Sequence, residues 1–155
     1  MFLAGVALFI LATAKPWSYW KNVGGFLIAC TIVAMALMGK SNAQTLGLHV
    51  GTVHEKAGFN DSNPGAYIVF NNGLTAGTYF NSISRQSNYI GYTVKDSTDT
   101  FAVTLTAITG YRPDPQYAAI PSVRIPLTQS LSGRITVLYA PDCGVAVHYS
   151  LEYKL

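Results

Sequence analysis

Charge is scarce in this chain, with Asp, Glu, Lys and Arg making up 11% of its 155 residues. So little charge excludes a long charged coiled coil, and a half-hydrophobic composition excludes a disordered chain. No acidic residue precedes Gln44, whereas Lys15, Lys21 and Lys40 do. From Gln44 onward seven basic residues meet seven acidic ones, so the net charge of +3 belongs to the first 43 residues. A nucleic-acid or acidic-ligand binder loses its main support. Cysteine is almost absent: Cys30 falls in the first segment and Cys143 would stand alone after it, so no internal disulfide is expected. No His–Cys cluster has metal-ligand spacing and no Gly-rich loop opens a helical pattern, so neither metal nor cofactor is expected. The apolar runs 2–14 and 23–38 both fall short of the roughly 18–20 residues that span a bilayer as a helix.

What the first segment does contain is an export pattern. Lys15 and Lys21 precede the second apolar run, and Ser41-Asn42-Ala43 places small residues three before and one before a cut after Ala43. Residues 1–43 are expected to be an apolar helical leader, a signal peptide, and residues 44–155 the folded domain. A retained helical membrane hairpin is the competing reading, carried by run 2–14. A lipidation box at Cys30 would have too short an apolar stretch before it.

After Gln44 the periodicity is that of strands. In residues 145–155 the odd positions are Val145, Val147, Tyr149, Leu151, Tyr153 and Leu155, while the even ones are Ala146, His148, Ser150, Glu152 and Lys154. One face is apolar and aromatic; the other is small or polar. Similar segments occupy 46–55, 66–71, 74–81, 88–95, 100–110, 118–127 and 134–140. The connections alternate between a set at 71–73, 96–99 and 128–133, and a set at 56–65, 82–87, 111–117 and 141–144. Asn71-Asn72-Gly73 has the chemistry of a tight hairpin turn. Eight strands with alternating connections predict an all-β, antiparallel up-and-down membrane barrel whose termini share one side. Its lumen would be filled by side chains or by one slim ligand. A secreted soluble barrel of lipocalin type is the alternative.

Chemistry is sparse. Parity with Leu46, Leu48 and Val50 turns His49 inward, and His148 likewise faces inward on the last strand, which a closed barrel sets beside the first. His54 ends the first strand, and Ser82 lies in a loop on the same rim. Because a serine hydroxyl is a poor nucleophile until a base takes its proton, His plus Ser on one rim suggests acyl transfer.

Asn81-Ser82, nine residues before Gly91-Tyr92, resembles the PagP family of outer-membrane lipid A palmitoyltransferases, where an Asp-Ser pair stands in the loop. Leu48-His49-Val50-Gly51-Thr52-Val53-His54-Glu55-Lys56 is similar to the family's first strand, with His49 matching its catalytic His. Phe59-Asn60-Asp61-Ser62-Asn63-Pro64-Gly65 resembles its first loop, and Ile120-Pro121-Ser122 and Leu138-Tyr139-Ala140-Pro141 its closing hairpins. The resemblance implies a monomeric outer-membrane barrel that moves a phospholipid acyl chain to lipid A. It implies catalytic roles for His49, His54, Asn81 and Ser82, and substrate-binding positions at Arg85, Tyr92, Thr93 and His148. Three departures stand out. Asn81 lacks the family's charge, Thr93 stands where long-chain members have Gly, and the amphipathic helix before the first strand is missing. They leave open a non-catalytic barrel that binds lipid.

Overall fold

The computed structural model of the protein describes residues 43–141 and 144–155. The expected leader lies outside the described residues except for Ala43, and so does Cys143. Eight strands follow one another: β1 (Ala43–His54), β2 (Ser62–Phe70), β3 (Leu74–Phe80), β4 (Gln86–Lys95), β5 (Phe101–Ile108), β6 (Gln116–Pro126), β7 (Leu131–Ala140) and β8 (Gly144–Lys154). Each pairs antiparallel with its sequence neighbours and β8 closes on β1, giving an up-and-down barrel.

Turns at residues 71–73, 96–100 and 127–130 form one rim, and the remaining connections, with the long loops 55–61 and 109–115 among them, form the other. Each turn has its own side-chain chemistry. Gly73 takes a φ of 86° and donates to Phe70 O at 2.9 Å. Asp96 accepts from the Thr100 and Phe101 amides at 2.7 and 3.0 Å. Its hydrogen bonds, that from the Thr98 hydroxyl first, hold the Asp96 carboxyl below its ordinary pKa.

The alternation read from the sequence sorts side chains between the lumen and the outer face. Ala146, His148, Ser150 and Glu152 are buried in the lumen, while Val145, Tyr149, Leu151 and Tyr153 lie exposed on the outside. The exterior is apolar on other strands too, with Val53, Ile90, Tyr92, Phe101 and Leu105 all more than half exposed. Two inward glycines make room for aromatic rings. A Cβ at Gly47 would collide with the Tyr67 ring, and one at Gly77 with the Tyr89 ring.

β2 begins four residues earlier than the sequence pattern places it, because Ser62 and Gly65 pair with Gly51 and His49 of β1. Pro64 has no amide to give the β3 side, and Asn63 Nδ2 instead donates to Phe80 O at 2.9 Å. The β6–β7 ladder runs only from Ser122 to Pro126, so residues 116–121 pair with β5 alone.

Candidate active site

The site begins with a slip in β1. Strict alternation from His49 would turn His54 outward. Between His49 and Gly51 the register shifts on both sides: against β8 Val50 is an extra residue of β1, and against β2 the extra residue lies on β2, between Ser62 and Gly65. A bulge of this kind re-aims the side chains beyond it. Thr52 is therefore buried, Val53 points out, and the His54 side chain is only 3% exposed.

Two loops converge on that ring. Thr52 N donates to Asp61 O at 2.9 Å, and Asn60 N to Ser82 O at 2.8 Å, so the backbone itself ties the first loop to β1 and to the loop after β3. In the second loop Asn81 is fully buried. Its Oδ1 accepts from the Ile83 and Arg85 amides at 3.0 and 2.9 Å, and its Nδ2 donates to Ser87 Oγ at 3.0 Å. Ser84 adopts a left-handed φ of 58° within this turn. Asn81 thus works through the shape of the loop that carries Ser82.

The outcome is a hydrogen-bonded chain of serine, histidine and aspartate. His54 Nδ1 lies 2.7 Å from Asp61 Oδ1, and His54 Nε2 lies 2.7 Å from Ser82 Oγ. A carboxylate only accepts, so Nδ1 carries the proton and Nε2 keeps the lone pair that receives the Ser82 hydroxyl hydrogen. Phe59 stacks on the imidazole at 5.3 Å between centroids, 26° between planes. Asp61 is largely exposed and His54 is not. This arrangement can raise a serine to a nucleophile and orient its base.

His49 belongs to a second cluster deeper in the lumen. Its Nδ1 lies 2.8 Å from His148 Nε2 and its Nε2 lies 3.1 Å from Tyr89 Oη, while His148 Nδ1 is 2.8 Å from Thr52 Oγ1. Both nitrogens of His49 are occupied, and the rings of Tyr67 and Tyr79 pack on it at 4.8 and 5.1 Å. The expected closeness of His49 and His148 is present; a contact of His49 with Ser82 is not.

The other expected site residues divide. Thr93 faces the lumen and bridges Thr75 and Thr104 through its hydroxyl at 2.7 and 2.9 Å. Tyr92, expected to bind substrate, is half exposed on the outer wall, and Arg85 is exposed on its loop. Asp61 was not among the expected residues. Its sequence signal is an acidic residue in the loop directly after His54, and the bulge that makes it matter has no side-chain signature.

Beneath Ser82 and His54 runs a cavity of about 480 Å³, lined mostly by apolar atoms. Phe59, Ile108, Ala118, Leu138 and Ala146 line its outer part. Toward the turn rim, Arg134 Nε lies 2.6 Å from Glu152 Oε1, which also accepts from Tyr67 Oη at 2.7 Å. Asp99, Arg124 and Lys95 extend this floor with ion pairs of 3.3–3.7 Å. Among the described residues no group of three His, Cys, Asp or Glu is placed to hold a metal.

No protein-family profile and no curated protein matches the sequence. The solution NMR structure of the de novo designed protein TMB2.3 is similar to this chain at a TM-score of 0.57 and 10% identity, covering 76% of this chain and 98% of that one. At that identity the likeness concerns the fold, and an eight-stranded closed antiparallel β-barrel is what the chain shares with it.

Proposed function

We propose that this protein is an outer-membrane acyltransferase of the PagP kind, in which Ser82, His54 and Asp61 move an acyl chain from a glycerophospholipid to a hydroxyl of lipid A. The observation that carries the reading is the Asp61–His54–Ser82 chain at the mouth of a largely apolar cavity. In the first half-reaction Ser82 Oγ attacks the ester carbonyl as His54 Nε2 takes its proton. The tetrahedral centre collapses, the ester bond to the lysophospholipid breaks, and His54 returns the proton to the leaving oxygen. In the second half the acceptor hydroxyl attacks the acyl-serine carbonyl as His54 Nε2 takes its proton, the ester bond to Ser82 breaks, and His54 returns the proton to Ser82 Oγ.

The apolar exterior supports a lipid-facing wall, since a soluble barrel would hold those side chains in water. Of the departures that leave a non-catalytic reading open, the missing charge at Asn81 is offset by Asp61, which brings a carboxylate to His54 from another loop. The β6–β7 pairing stops at Ser122 and Thr136, short of the outer part of the cavity, and this stretch of wall is where a chain could enter from the bilayer.

Mass spectrometry of lipid A from cells with and without the protein tests the whole reading. The expected result is a mass gain of one acyl chain that disappears in Ser82→Ala. Lipid A of unchanged mass beside a folded, surface-located protein would favour the lipid-binding barrel.

A further inference from the structure

The cavity lined by Ser82 and His54 at one rim is lined by Arg134, Glu152 and Ser122 toward the other. Glu152 is 2% exposed and lies at the centre of a bridge across the lumen. Its Oε1 accepts from Tyr67 Oη of β2 at 2.7 Å and from Arg134 Nε of β7 at 2.6 Å. Arg134 Nη1 continues to Ser122 Oγ of β6 at 3.0 Å. Asp99, in the turn after β4, meets Lys95 at the end of β4 and Arg124 of β6, each at 3.3 Å. The network thus joins β2 and β4 to β6, β7 and β8, in a barrel of a width that side chains can fill.

Its charges act as one unit. Arg124 and Arg134 stand directly opposite each other in the β6–β7 ladder, a placement of like charges that the two carboxylates must offset. Each carboxylate faces both guanidinium groups. Glu152 lies 2.6 Å from Arg134 and 3.7 Å from Arg124; Asp99 lies 3.3 Å from Arg124 and 3.7 Å from Arg134. The two longer contacts end on Glu152 Oε2 and Asp99 Oδ1, which are buried with no hydrogen-bond partner of their own. Taking away one member therefore loosens the rest.

We infer that Lys95, Asp99, Arg124, Arg134 and Glu152 form a seal that stops ions from crossing the lumen, and that the barrel becomes a narrow anion-selective pore when the seal is broken. The inference uses the membrane-spanning part of the proposed function and is independent of acyl transfer. A cavity entered from the long-loop rim conducts once its other end is free, and side chains locked by paired charge keep that end closed. The seal holds three cations and two carboxylates, so an opened lumen carries an excess of positive charge and favours anions.

The test places the full chain in planar lipid bilayers under a potassium chloride gradient. The wild type should carry no steady current. Arg134→Ser with Glu152→Ser removes one charge of each sign and both long side chains while leaving Arg124 its pair with Asp99, so no buried ion is stranded. This variant should give discrete current steps whose reversal potential is shifted toward the chloride value. Asp99→Asn keeps the turn, because Asn tolerates the left-handed φ of 55° found there, and removes the carboxylate that holds Lys95 and Arg124. It should give steps of the same selectivity, and it decides by the same criterion if heat-modifiable migration shows the double variant unfolded. Steady current through the wild type overturns the inference, and so does a folded double variant that stays silent or passes cations in preference to anions. A wild type that fails to float with liposomes ends the membrane reading and the inference with it. Acyl transfer is assayed on the same preparations, and its loss bears on the proposed reaction while leaving the seal to the current measurement.

Discussion

Ser82 gives its hydroxyl hydrogen to His54 Nε2 at 2.7 Å, and no other base is hydrogen-bonded to it among the described residues. A positioned general base is worth about 10²–10⁴-fold in rate, so His54→Ala should lose that much transfer and Ser82→Ala should lose all that is detectable. Asp61→Asn should fall at the lower end of the same rough 10²–10⁴ range, because the carboxylate it replaces is largely exposed to water. The contrast with His49 is sharp. Its nitrogens are spent on His148 and Tyr89, so His49→Ala should reshape the lumen and alter KM while a Ser82-dependent kcat persists. Steady-state assays of the four variants in detergent separate these roles. Transfer abolished by His49→Ala but not by His54→Ala would assign the base to the deeper histidine. Asn81→Asp keeps the acceptor for Ile83 and Arg85 and gives Ser87 an acceptor in place of a donor, so the loop should hold and activity should change little.

Elements explain what the sequence makes legible. β8 is readable residue by residue because its two faces differ at every step, and the Asn71-Asn72-Gly73 turn because only certain residues reach a left-handed φ. The loop pairing that makes the site is hidden. Pro64 and Gly65 look like loop residues, yet they belong to β2, with the Asn63 amide replacing the donor that Pro64 lacks. The bulge at Val50 is equally silent, and it turns His54 to the side where Asp61 and Ser82 lie. Asp61 could not be chosen from composition or spacing for that reason. Deleting Val53, beyond the bulge, shifts the parity by one residue and should turn His54 outward and abolish transfer while the barrel still closes. Heat-modifiable gel migration together with the transfer assay would show this, and full activity in the deletion would deny the bulge its role. The 96–100 turn offers a pH test. The Asp96 carboxyl is held below its ordinary pKa, so its contribution is present above the unfolded carboxylate range and fades as pH falls through the lowered value. Asp96→Asn should reduce stability near neutral pH more than in acid, measured by thermal melts across that window.

As a whole molecule, the barrel turns its apolar side chains outward and stores its polar ones within, the reverse of a soluble sandwich. The long-loop rim, with Ser82, His54 and Asp61, and the short-turn rim are thus expected on opposite sides of a membrane. In a Cys143→Ser background, Arg85→Cys on the first rim should label on whole cells with an impermeant thiol reagent and Asn72→Cys on the second should not; equal labelling would reject that orientation. On the proposed function lumen and rim would divide the work, the cavity of about 480 Å³ holding the chain while Ser82 opens its ester. The most direct test of that division is whether the acyl group passes through Ser82 itself. After a brief incubation of purified protein with dilauroyl phosphatidylcholine and no acceptor, peptide mass spectrometry should find the Ser82 peptide heavier by one lauroyl group in the wild type and unmodified in His54→Ala. Acyl transfer that proceeds in a Ser82→Ala protein, or an adduct on any other residue in place of Ser82, would contradict the account.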